Sequence, residues 1–376
     1  MAERILQDIA ELEKRLTKAQ INENTAEKAE AYYKLGGAYY FLEDFHRAIE
    51  YLKKYLSIAE EVGDRAGAGS AYGNLGCVYG SLGDSQRTLE YHEKSLSIAK
   101  DVGDRAGAGR AYGNLGCVYQ SLGDSQRAIE YHNQLIKIAK EVGNRAEEGC
   151  GYGNLGNAYE SLSEFRRAID YHNQHLSIAE EVGNRACQGK ALANLVFAYR
   201  SLNEFQRAIE YANKRLIIAK EVGDRAGEGE AYGNFGVAYQ SLKEFQRAIE
   251  YFSKCLIIAK EVGDKKKEGE AYGNLGGTNH NINEFQRAIE YNNKYLIIAK
   301  EVGDREGQGI AYLHLGTTYH SLNEFQRAIE YTNKYLIIAK ELGDRKGQGE
   351  AYLNLGTTYH SPVSYTHLTL PTIYSV

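Results

Sequence analysis

A unit of 40 residues recurs without insertion or deletion from about Ala29 to His360, so the chain cannot be built around one central core. The stretch Ala111-Tyr-Gly-Asn-Leu-Gly116, then Tyr119, then Ile138-Ala-Lys-Glu-Val-Gly-Asn-Arg145, returns nearly intact at each later step of 40. Self-similarity at such a period marks a solenoid, in which each unit rests on its neighbours and added length becomes reach. The 376 residues alone would suggest two or three domains, but the unbroken period replaces that prior with one elongated domain.

Within a unit, Tyr72, Leu75, Tyr79 and Leu82 fall on one face of a first helix. Phe205, Ile209, Ala212, Leu216 and Ala219 step by four and three along a second helix. Between the two lies a column of Gly83, Gly123, Ser163, Asn203, Lys243, Asn283 and Asn323, dominated by residues that tolerate the left-handed backbone of a helix stop. Asp84 or Glu204 follows as the expected cap of the second helix, and Asp64 or Asn144, after Gly63 or Gly143, as the cap of the next first helix. Gly73 and Gly76 inside the first helix each cost about 1 kcal/mol against alanine, which calls for close packing. With Ala128 also small, two helix backbones are expected to approach with no side chain between them.

The pattern Tyr112, Leu115-Gly116, Tyr119, Ala128 resembles the tetratricopeptide repeat, a helix-turn-helix unit of about 34 residues, here lengthened to 40. The longer period, with Asn-Leu-Gly and Ile-Ala-Lys-Glu-Val-Gly-Asp-Arg, is similar to the Pins/LGN group of G-protein signalling modulators and to the tetratricopeptide repeat protein 28 group. The resemblance covers some 330 residues. It implies an all-α fold, a right-handed superhelical solenoid of antiparallel helix pairs. The expected organisation is a capping helix in residues 1–28, carrying the stripe Ile5, Leu6, Ile9, Leu12, Leu16; eight units over 29–348; and the first helix of a ninth over 349–360. Residues 361–376 break the repeat and hold both prolines, Pro362 and Pro371. They read either as a transcript or cloning artefact or as a short cover over the last helix, and the authentic protein is expected to extend beyond this chain.

First helices of such an array line one side, and the most regular column on their unburied face is asparagine: Asn74, Asn114, Asn154, Asn194, Asn234, Asn274 and Asn354, with Lys34 and His314 as exceptions. A carboxamide offers a donor and an acceptor in one plane, so a ladder of them can hold the backbone of an extended peptide whatever its side chains. In tetratricopeptide domains that bind extended segments, an asparagine of this column contacts the peptide backbone, which the resemblance carries to these positions. The competing reading has each asparagine bonding a neighbouring helix or water. One turn earlier runs the column of Arg110, Lys190, Glu230, Glu270 and Glu350, whose sign changes along the array and is expected to select a ligand with charge polarity. Val78, Val118 and Ala158 are expected to face the groove as small residues, and Gln120, Glu160, Arg200 and Gln240 as polar ones. Phe197 is a candidate apolar contact, although Val196 and Leu192 in the same unit also point to local repacking.

Catalytic and metal chemistry find no purchase. The histidines at 92, 132 and 172, or at 280, 320 and 360, stand one repeat apart, too far to converge on zinc. Gly183-Asn-Arg-Ala-Cys-Gln-Gly-Lys190 has five residues between its glycines where a phosphate loop has four. The five cysteines lack the even count and close spacing of a disulfide framework, a net charge of −5 argues against nucleic acid, and no apolar run suits a membrane. The sequence therefore points to a cytoplasmic, non-catalytic scaffold or adaptor, without cofactors or metal, whose partners are extended peptide segments of other proteins. The alternative is a sensor or regulatory arm of a larger enzyme or signalling ATPase.

Overall fold

The computed structural model describes residues 2–360. Helix α1 (Ala2–Ile21) precedes the first helices α2 (Thr25–Phe41), α4 (Arg65–Ser81), α6 (Arg105–Ser121), α8 (Arg145–Ser161), α10 (Arg185–Ser201), α12 (Arg225–Ser241), α14 (Lys265–Asn281), α16 (Arg305–Ser321) and α18 (Arg345–His360). Alternating with them are the second helices α3 (Phe45–Glu61), α5 (Ser85–Asp101), α7 (Ser125–Glu141), α9 (Phe165–Glu181), α11 (Phe205–Val222), α13 (Phe245–Val262), α15 (Phe285–Glu301) and α17 (Phe325–Glu341). The fold is all-α, and no strand occurs among the described residues. Consecutive helices pack as antiparallel pairs across short turns, in two compact units divided between residues 194 and 195.

The turns follow local backbone chemistry. Gly63 and Gly103 carry φ of 71° and 73° ahead of first helices, while the turn inside a pair places Gly83, Ser163, Lys243 and Asn323 at φ of 75°, 59°, 61° and 60°. Asp64 then accepts from the Gly67 amide and Asp84 from the Arg87 amide, each satisfying an orphan donor. Glu164, Glu204, Glu244, Glu284 and Glu324 occupy the same place as Asp84 but make no cap bond, which corrects the expectation for Glu204. Glutamate is one methylene too long to fold back onto its own amides. Glu204, Glu244 and Glu324 instead pair with the arginine three residues on.

Glycine in the first helix serves a different purpose from the bare backbone approach expected. A β-carbon on Gly36 would stand 2.7 Å from Leu52 Cγ, one on Gly236 2.5 Å from Phe252 Cδ1, and one on Gly316 2.8 Å from Thr332 Oγ1. Each glycine is thus a socket for a side chain of the second helix in the same pair. His92, His132 and His172 fill the sockets of Gly76, Gly116 and Gly156. In the one exception Val196 replaces the glycine and Ala212 the inserted side chain, and both are 1% exposed, so volume is conserved.

Each pair is further clamped by tyrosines. Tyr79 and Tyr91 stack at 5.3 Å and 2°, with Arg87 covering Tyr79 at 5.0 Å; Tyr239, Tyr251 and Arg247 repeat the arrangement. Asn279 interrupts the series: it is buried, and its amide donates to the Leu275 carbonyl. At the chain start, Ile9 and Leu16 of α1 join a core with Ala31, Leu35 and Tyr39 of α2, whereas Leu6 is 56% exposed and leaves the expected stripe.

Candidate functional site

First helices hold the asparagine column half-buried, because its neighbours in the same turn, such as Leu75 and Leu115, are fully buried. In the unit of residues up to 194, α4, α6 and α8 bring Asn74, Asn114 and Asn154 together around a groove of about 470 Å³ that Arg110 also lines. In the unit from 195 on, Glu230, Asn234, Glu270 and Asn274 line a groove of about 530 Å³ with Arg200 and His314. Neither lining includes Lys190, Asn194, Phe197 or Asn354. Phe197 is 49% exposed on α10.

The amides are oriented by the preceding layer. Asn114 Nδ2 donates to Cys77 Sγ at 3.9 Å, Asn154 Nδ2 to Cys117 Sγ at 3.7 Å, and Asn194 Nδ2 to Asn157 Oδ1 at 3.0 Å. Asn234 reverses the polarity, accepting at Oδ1 from Arg200 Nη1 at 2.7 Å. A bond from one repeat to the one before it therefore fixes these side chains, as the neighbouring-helix reading expects.

The small column is corrected. Val78, Ala158, Ala238 and Thr318 are at most 1% exposed and pack inside the array. Residues one position earlier in the first helices form the groove floor instead: Cys77, Cys117, Val237 and Thr317, ahead of the buried Val78, Val118, Ala238 and Thr318. The periodicity of a helix cannot separate two adjacent residues that flank the edge of a buried face.

Charge in the second groove also differs from a simple acidic column. Arg215, 9% exposed, reaches Asp224 at 2.8 Å and Glu230 at 3.9 Å, so Glu230 faces a cation of its own chain. In the next repeat Cys255 stands where Arg215 did. Desolvation there holds the Glu270 carboxyl above the usual range, and no ion pair of Glu270 is recorded among the described residues. Burial lowers the Arg200 guanidinium, and its Nε is buried without a hydrogen-bond partner. Burial, then His280, pushes His314 down to about 4, so it faces the groove as neutral imidazole.

The tetratricopeptide repeat family model matches residues 27–101, 67–141, 147–221 and 227–301, and a second model of the same repeat matches 310–341. The chain belongs to the tetratricopeptide repeat family. Among solved structures, the tetratricopeptide array is similar to a signal transduction ATPase with numerous domains and a tetratricopeptide repeat sensor from Pyrococcus horikoshii: 19% identity and TM-score 0.64, over 89% of this chain and 49% of that one. It is similar to the apo quorum sensor NprR from B. thuringiensis at 16% identity and TM-score 0.61, over 78% and 82%. It is also similar to a Rap protein complexed with competence and sporulation factor at 14% identity and TM-score 0.52, over 89% and 98%. At these identities the likeness establishes the fold. No curated protein sequence matches the chain.

Among the described residues no His, Cys, Asp and Glu cluster could hold a metal ion, and no helix is long and apolar enough to cross a membrane.

Proposed function

We propose that this tetratricopeptide protein is a non-catalytic scaffold that binds extended peptide segments of other proteins along its grooves. The observation that carries the reading is the placement of Asn74, Asn114 and Asn154 in one groove, with the amides of Asn114 and Asn154 already oriented by cysteines of the layer before. Preoriented carboxamides meet a peptide backbone without first losing rotamer freedom, and so bind it with less entropic cost. Arg110 gives the first groove a cation for an acidic ligand residue, and Glu270 gives the second a carboxylate for a basic one. The match to a Rap protein complexed with a factor, and to a quorum sensor, supports ligand capture by arrays of this fold. We assign residues 1–28 to a cap, 29–348 to eight units and 349–360 to the first helix of a ninth; residues 361–376 lie outside the described residues. The five free cysteines support a reducing, cytoplasmic setting. The match to half of a signalling ATPase favours one further reading, in which the array is the sensor arm of a larger protein.

The test is a proteomic pull-down comparing the chain with a variant carrying Asn114→Ala, Asn154→Ala, Asn194→Ala and Asn234→Ala, after confirming equal helicity and melting. Loss of specific partners supports groove binding; an unchanged partner set removes the asparagine column from recognition.

A further inference from the structure

The outer face of the second helices carries an apolar column unrelated to the grooves. Ile217, Ile257, Ile297 and Ile337 lie one repeat apart on α11, α13, α15 and α17 and are 58%, 55%, 57% and 55% exposed. The equivalent residues of the earlier repeats are Ser57, Ser97, Lys137 and Ser177, all exposed, on helices with the same packing partners. The chain thus contains its own control: the fold needs no apolar side chain at this position, yet four consecutive repeats place isoleucine there. Repeated isoleucines left in water gain nothing from folding, and an apolar row of this kind marks an interaction surface.

Its surroundings define the partner. Asn293 and Lys294 lie one turn before Ile297, and Lys300 and Glu301 one turn after. The row is therefore one residue wide on each helix and edged by polar groups. The charges at its edge do not cancel. Glu261 and Glu341 are occupied by Arg225 and Arg305, whereas Lys300 and Lys340 rest over the rings of Tyr312 and Tyr352 at 5.8 Å and 5.7 Å, with no carboxylate in ion-pair range recorded among the described residues; Glu301, whose facing Lys265 pairs with Glu268, offsets one of these two cations and leaves the other in excess.

We propose that this isoleucine row is a second docking surface, which receives an amphipathic helix of a partner protein whose apolar residues are edged by carboxylates. Helix-on-helix contact suits a narrow apolar seam with charges at its flanks. A bilayer requires a broad apolar face instead. Strip-on-strip pairing of two copies would set lysine against lysine, which disfavours self-association through this row.

The test uses the full chain and the variant Ile217→Ser, Ile257→Ser, Ile297→Ser and Ile337→Ser, which imports the residue that three earlier repeats already hold. The probe is a labelled synthetic helix of about four heptads with leucines on one face and glutamates beside them. Fluorescence anisotropy is expected to show binding that the serine variant weakens by about tenfold or more, while the four-asparagine groove variant binds as the parent does. Equal binding to the serine variant overturns the proposal. So does equal binding of a probe with lysines in place of glutamates, which would show unspecific apolar adhesion. Phosphatidylserine vesicles that cosediment with the parent but not the serine variant, or a dimer in sedimentation that the serine variant loses, would assign the row to a membrane or to a second copy and equally overturn it.

Discussion

A β-carbon on Gly76 would stand 2.6 Å from Cε1 of His92, so the glycine of one helix is the socket of a histidine in the next. The contact sets how closely α4 and α5 approach, and it recurs in every pair but α10–α11, with leucine, histidine, phenylalanine, asparagine or threonine as the guest. Gly76→Ala is expected to force His92 outward and destabilise the protein by roughly 1–3 kcal/mol, as overpacking does. Among the described residues nothing lies within 4 Å of a β-carbon on Gly356 at the same position of α18, and Gly356→Ala is expected to stabilise by up to about 1 kcal/mol through helix propensity. Urea unfolding of both variants measures the contrast; equal effects would show that the socket carries no strain.

The guests also differ in what acid does to them. His92 and His132 are 2% and 0% exposed, and burial pushes each down to about 4; His175, which lies against Gly153 outside these sockets and is 7% exposed, is pushed by burial likewise to about 4. A histidine in the unfolded chain titrates near 6.5, so below that pH the unfolded state takes up more protons than the folded one. Stability from these groups is complete above about pH 6.5 and is lost as pH falls toward 4, by on the order of 2–3 kcal/mol per histidine. Phe252 and Asn292 fill the equivalent sockets of later repeats without titrating. Thermal melts at pH 7 and pH 5 are expected to show a clear loss that His92→Phe with His132→Asn reduces. A parallel loss in both proteins would place the acid sensitivity elsewhere.

Asn279 stands where seven other described pairs have a tyrosine stacked on the second helix, as Tyr319 stacks on Tyr331 at 5.4 Å and 6°. Asn279→Tyr is expected to restore a stack on Tyr291 and to place a ring beneath Arg287. The gain is about 0.5–1.5 kcal/mol, read by an increase in urea midpoint without a change in slope. No gain, or a loss, would mean that the local backbone has already closed around the smaller side chain.

Much of this could be read before any coordinates. The period of 40 and the faces of both helices announced paired helices, and Asp64 and Gly63 marked where one helix stops and the next begins, because caps and left-handed turns are chemistry of adjacent residues. The asparagine column was legible for the same reason, being periodic. Glu204 was misread as a cap because a carboxylate at the right place still needs the right length, and Val78 was misread as groove lining because one residue of helical rotation separates it from Cys77.

What only tertiary structure decided depends on which repeat lies against which side chain. That Asn114 reaches back to Cys77, that Arg215 of α11 meets Glu230 of α12 across the turn between them, and that glycine makes room for His92 are contacts between elements. A repeat fixes the kind of neighbour every residue has, since each layer stacks in the same way. It does not state what happens where one layer differs from the next, because the fit of two side chains depends on their joint volume and charge, and a list of residues records each singly.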